Sequence, residues 1–123
     1  MSTQLIGEWL RDYGVEEFDG GCTFTYKDLI DFSLELSTDE SHLVLSSVVG
    51  ELPAGRDPEI LCRLLRLNYL GIETRGATLS IDESESNIVL WISLATAMLD
   101  PELFEQSVQV FLDVSERLSQ AVR

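Results

Sequence analysis

The chain predicts an α+β domain: a mostly antiparallel five-stranded sheet packed with three helices, in the order α-βββ-α-ββ-α. Three observations predict it. Apolar and polar residues alternate with period two from Cys22 to Leu36 and again from Ala77 to Ile81. Apolar residues recur at helical spacing in three other stretches, two of them opened by an Asp-Pro pair. Clusters of Gly, Asp, Ser and Pro punctuate the intervals. Strand runs interleaved with helices in this way form an antiparallel sheet with helices packed on it.

The first helix runs to about Tyr13, with Ser2 or Thr3 as its cap and Gly14 as its stop. Leu5, Ile6, Trp9, Leu10 and Tyr13 share one stripe, which reads either as core packing or as a partly exposed anchor surface. Residues 15–21 form an acidic loop closed by Asp19-Gly20-Gly21. Cys22, Phe24 and Tyr26 then alternate with threonines, and Lys27-Asp28 turns the chain. Ile30, Phe32, Leu34 and Leu36 make the second strand, with the next turn at Ser37-Thr38-Asp39-Glu40.

The third strand, His42 to about Val49, is apolar on both faces: Leu43, Leu45 and Val49 on one, Val44 and Val48 on the other. After a Gly50–Arg56 loop, Asp57-Pro58 opens a central helix carrying Ile60, Leu61, Leu64, Leu65 and Leu67. Gly71 stops it and Gly76 marks a second turn. Ala77, Leu79 and Ile81 alternate as a strand, Asp82–Asn87 turns, and Ile88–Leu94 follows as an almost wholly apolar strand. Asp100-Pro101 begins the last helix, with Phe104, Val108, Phe111, Leu118 and Val122 at helical spacing. The doubly apolar strands imply that helices or a partner cover part of the sheet's second face.

A chain of 123 residues is read as one domain, residues 1–123. With 22 acidic against 8 basic side chains and a net charge of −14, it repels phosphates, which argues against nucleic acid or anionic membrane as a partner. Cys22 and Cys62 stand in separate elements without metal-ligand or Cys-x-x-Cys spacing and read as reduced thiols. The N-terminus lacks the basic region of a signal peptide, and no apolar run is long enough to span a bilayer. These features predict a soluble, cytoplasmic protein.

Catalytic chemistry needs a convergent constellation, and none is legible. His42 is the sole histidine, beside Ser41 and Glu40 at a turn, with no acid and hydroxyl arriving from separate elements. Asp82-Glu83-Ser84-Glu85-Ser86 faintly suggests a calcium loop but lacks the central Gly, and Ser93 stands where a bidentate Glu would fall. The expectation is no catalytic residue, no metal and no cofactor.

The run "LNYLGIETRGATLSIDESESNIVLWISL" resembles the class I chaperones of type III secretion, the CesT or Tir-chaperone family. Asn68, Leu70, Gly76, Ala77, Thr78 and Leu79 sit where that pattern places a helix end, a turn and a hairpin. The resemblance implies a bacterial cytoplasmic homodimer without enzymatic activity. It implies binding of an extended segment near the N-terminus of a secreted effector, which stays soluble and export-competent without ATP. The bound segment would fill apolar patches and add strands at a sheet edge. Carried over by position, Leu5, Ile6, Trp9, Leu10, Phe32 and Trp91 are the candidate effector contacts. Leu61, Leu64, Leu65 and Asn68 are the candidate dimer interface. An alternative is a YbjN-like regulatory or adaptor protein of the same fold that binds a folded partner; a small enzyme is a third.

Overall fold

The computed structural model describes residues 3–15, 18–52, 58–84 and 86–122. Helix α1 (Thr3–Leu10) passes through a 3-10 turn, Arg11–Tyr13, into Gly14, whose φ of +83° is the left-handed stop expected there. Strands β1 (Gly21–Tyr26), β2 (Ile30–Leu36) and β3 (His42–Glu51) follow, then helix α2 (Pro58–Leu67), strands β4 (Thr78–Ile81) and β5 (Asn87–Ala95), and helix α3 (Pro101–Ala121). The order is the predicted α-βββ-α-ββ-α. Asp100 caps α3 by accepting from the Leu103 N–H at 2.7 Å, an arrangement worth about 1 kcal/mol. The corresponding Asp57, the proposed cap Ser2 and much of the Gly50–Arg56 loop lie outside the described residues.

All strand pairs are antiparallel, and the sheet runs β1-β2-β3-β5-β4. Lys27 and Asp28 both take positive φ in the three-residue β1–β2 loop, closed by the Leu29 N–H donating to the Tyr26 carbonyl at 3.1 Å. Lys27 is then tied to α3 by Glu116 at 3.1 Å. Strand β3 runs two residues beyond the expected end because a bulge between Val48 and Gly50 lets it keep pairing with β5.

Register assigns every strand residue to a face. Phe24, Phe32, Leu45 and Leu90 lie on one face, where α1 and α3 cover them. Tilted and edge-on aromatic pairs run through this layer: Trp9–Phe104 at 4.9 Å, Phe24–Phe32 at 4.8 Å and Phe32–Phe111 at 5.6 Å between centroids. A buried polar pair also crosses it, Ser47 and Ser115 hydroxyls 2.8 Å apart, with Ser115 donating to the Phe111 carbonyl. The opposite face carries Thr23, Thr25, Ser33, Ser46 and Ser80 around Val44, Val48, Val89 and Trp91, half-exposed or exposed. Of the two possibilities raised by the doubly apolar strands, this chain's own α1 and α3 are used on the first face.

Candidate interaction surfaces

Helix α2 does not settle over either face; it lies along the β4 edge. Its single fully buried side chain is Leu64, with Ile60, Leu61 and Leu67 half-buried against the core. What anchors it is Asn68, just past its last turn. The Asn68 carboxamide accepts from the Leu79 N–H at 2.7 Å and donates to the Leu79 carbonyl at 2.9 Å. One side chain thereby replaces a neighbouring strand at the outer edge of β4, satisfying both backbone groups of Leu79.

Leu61, Leu64, Leu65 and Asn68, the four residues expected at a dimer interface, are brought together around one groove of about 300 Å³ between α2 and β4, with Leu79 and Ile81 opposite. Leu65 is 70% exposed on its outer lip. Beyond it the chain presents Tyr69, Leu70 and Ile72 at 68%, 78% and 63% exposure. These three were missed in the sequence. The available signal was three large apolar residues inside a four-residue turn segment, where no strand or helix could bury them.

The six expected effector contacts do not form one patch. Ile6, Leu10 and Phe32 have no exposed surface, because α1 and the β2 side chains pack into the α3 layer; their expected place on an open patch is corrected to the core. Trp9 is half-buried, its ring on Phe104, and the Leu5 side chain lies outside the described residues. Trp91 is 39% exposed on the opposite face, registered beside Ser46 and Thr78. Trp9 and Trp91 thus serve opposite sides of the sheet. On Trp9's side, Tyr13 stacks near Phe24 of edge strand β1, whose outer side has no neighbouring strand in the sheet order.

The polar clusters singled out in the sequence resolve into turns. Asp39 accepts from the Ser41 hydroxyl at 2.6 Å, the Ser41 N–H at 3.0 Å and the Ser37 hydroxyl at 2.8 Å. These bonds, the Ser41 hydroxyl foremost, hold its carboxyl down at about 2. His42 Nδ1 lies 2.8 Å from the Ser41 hydroxyl, so the serine stands between acid and imidazole. A nucleophile relay needs the imidazole between acid and hydroxyl, and this order places the hydroxyl between acid and imidazole. Asp82 likewise gathers Asn87, Ser84 and the Ser86 N–H, which hold it at about 2, the Asn87 side chain contributing most. Its oxygens hold the hairpin turn, and among the described residues no group of three or more acids, thiols and imidazoles is placed to hold a metal ion. Cys22 and Cys62 are free thiols, and burial pushes the Cys22 thiol up. Among the described residues no helix is long and apolar enough to cross a membrane.

A second groove, about 240 Å³, opens between α3 and the far end of β5. Ala77, Ile92, Leu94, Leu103, Val110 and Phe111 line it. Arg75 stands on its rim, and with Arg117 it borders the shallower continuation of the groove along α3.

Residues 4–119 match the model of the Tir chaperone protein (CesT) family. Three solved structures share the fold. A chain of the ExsC-ExsE complex superposes with a TM-score of 0.78 at 20% identity, over 98% of this chain and 92% of that one. A chain of the ExoU-SpcU heterodimer from the type III secretion system of Pseudomonas aeruginosa gives 0.72 at 17% identity, over 95% and 93%. A chain of the HopA1-SchA chaperone-effector complex gives 0.73 at 17%, over 95% and 91%. No curated protein is significantly similar to the chain in sequence.

Proposed function

This chain belongs to the Tir chaperone protein (CesT) family, and from that premise we propose that it is a type III secretion chaperone working as a homodimer. It binds the non-globular N-terminal region of one or a few effectors and keeps them soluble and export-competent without ATP. The observation that carries the reading is the family match over nearly the whole chain, residues 4–119. The act is binding rather than catalysis, in the bacterial cytoplasm, by a single domain of residues 1–123.

The geometry supports this reading in two ways. Edge strand β1 offers main-chain hydrogen bonds to an extended segment, with Trp9, Tyr13 and Phe24 beside it as half-buried apolar footing. The groove formed by Leu61, Leu64 and Leu65, continued by Tyr69, Leu70 and Ile72, is the proposed twofold contact. Of the effector contacts expected from sequence, Trp9 and Trp91 remain as direct contacts and Leu5 as a candidate, while Ile6, Leu10 and Phe32 shape the layer beneath.

The test is co-expression with the genes that neighbour its own, followed by purification and light scattering. Two copies of this chain holding one copy of a larger secreted protein by its N-terminal region is the expected result. A dimer that captures only a folded cytosolic protein would refute the chaperone reading in favour of an adaptor. Trp9→Ala should weaken effector binding without changing self-association; unchanged effector affinity removes α1 from the contact surface.

A further inference from the structure

The second face of the sheet is left bare by α1 and α3, and its charges are all of one sign. Register lays it out in rows across the strands. The middle row runs Thr23, Ser33, Ser46, Trp91 and Thr78. Val44 and Val48 flank it on β3, Val89 on β5, and Glu35 and Asp31 on β2. The valines are half-buried and the Trp91 side chain is exposed, so an apolar strip runs over β3 and β5 beside two carboxylates. None of the five strands contains a lysine or arginine. Lys27, the nearest in sequence, is drawn away to Glu116 of α3. Asp31 accepts from the Thr25 hydroxyl at 3.3 Å, and among the described residues neither Asp31 nor Glu35 has an ion pair.

We propose that this face takes a cationic amphipathic helix of the client, its apolar side on the Val44–Trp91–Val48–Val89 strip and its basic flank over Asp31 and Glu35. This rests on the chaperone reading above and states what part of the client segment looks like. Charge selects a cation-bearing occupant: a second copy laying the same face down would set carboxylates against carboxylates, and phosphate-bearing surfaces are repelled. The backbone selects a helix. Inside the sheet the strands bond to their neighbours, so the face offers a visitor no main-chain partner. An extended segment there would bury its own N–H and C=O groups unpaired, whereas a helix satisfies them internally. Spacing sets the pattern. Asp31 and Glu35 stand four residues apart on one strand, about 13 Å. At about 1.5 Å per residue, the positions on one helix flank that approach this span are i and i+7 or i+8, within reach of a long basic side chain. The client helix therefore carries Lys or Arg at that interval beside its apolar stripe.

The test uses the full chain and two fluorescein-labelled peptides of about 18 residues with the same leucine stripe. One bears lysines at i and i+7 on one flank, the other glutamates. At about 150 mM salt the lysine peptide should bind by fluorescence anisotropy and the glutamate peptide should not. Asp31→Asn with Glu35→Gln should weaken the lysine peptide about fivefold, and Trp91→Ala about tenfold. Glu102→Gln with Glu105→Gln, which removes as much charge from exposed positions on α3, should change nothing. An equal loss from the α3 pair would mean attraction by net charge alone and overturn the proposal. On titration the amide resonances of Ser46 and Val89 should shift; shifts confined to α1 and the β1 edge place the helix elsewhere and overturn it too. The chaperone reading is judged separately by the co-expression above. If the wild type and the Asp31→Asn, Glu35→Gln, Trp91→Ala triple variant hold the same secreted protein equally well, this face is excluded and the chaperone stands. If the wild type holds none, both fall.

Discussion

Replacing Asn68 by Ala removes both bonds that hold α2 to the β4 edge. The carboxamide makes bonds of 2.7 and 2.9 Å to Leu79, and both are partly buried, beside a Leu79 side chain that is itself buried. Each such bond contributes about 1 kcal/mol net, and water reaches the vacated edge only in part, so the loss is about 2 kcal/mol. Urea unfolding of a chain this size has a slope of about 1–3 kcal/mol per molar, which places the midpoint shift at roughly 1 M. The measurement is made at two protein concentrations tenfold apart. Because the clasp lies within one subunit, the difference between wild type and Asn68→Ala should be the same at both. A shift below about 0.3 kcal/mol refutes the clasp. A shift that grows on dilution would return Asn68 to the subunit interface, where the sequence had suggested it. Asn68→Asp is the informative companion: it keeps the acceptor for the Leu79 N–H but sets a charge against the Leu79 carbonyl, so it should rescue little.

Three further outcomes follow from particular contacts. Ser115→Ala leaves the buried Ser47 hydroxyl without its partner and should cost about 1–3 kcal/mol in chemical denaturation, with Ser47→Ala added in the same chain recovering part of it. Asp82 titrates at about 2, below its ordinary 3.8. A carboxyl depressed on folding stabilises above its unfolded value, and that contribution is lost as pH falls from near 3.8 through about 2. Asn87→Ala should move the Asp82 titration up toward 3.8 by NMR, while Asp39, held by its own serines, stays at about 2. Gly50→Ala would put a Cβ 2.9 Å from the Val122 side chain at the end of α3. It should lower the thermal midpoint by a few degrees and be relieved by Val122→Ala; an unrelieved loss would place the conflict elsewhere.

Much of the architecture was legible because it depends on local physics. Period-two alternation in β2 reflects a strand with one wet face. Gly14 and Asp100-Pro101 are chosen by backbone geometry and capping that act within a few residues. The β3 bulge was not legible, since it exists only where β3 must stay in register with β5. The candidate surfaces were half-legible. The α2 stripe of Leu61, Leu64, Leu65 and Asn68 does share one groove, because helical spacing alone puts those residues on one side. Effector contacts were harder, since periodicity reports which residues share a face and not which face stays open. Phe32 and Trp91 are both apolar strand residues, yet one is wholly buried and the other stands on the opposite side.

The set of elements, their order, the acidic character and, through one packing-and-turn motif, the family can all be read along the chain. All of these follow from neighbours along the chain. Tertiary structure alone decided two things: that α1 and α3 cover the same sheet face, and that Asn68 closes the β4 edge. Each depends on where distant segments come to rest. Burial is a property of the packed whole, whereas turn and period are properties of the local chain.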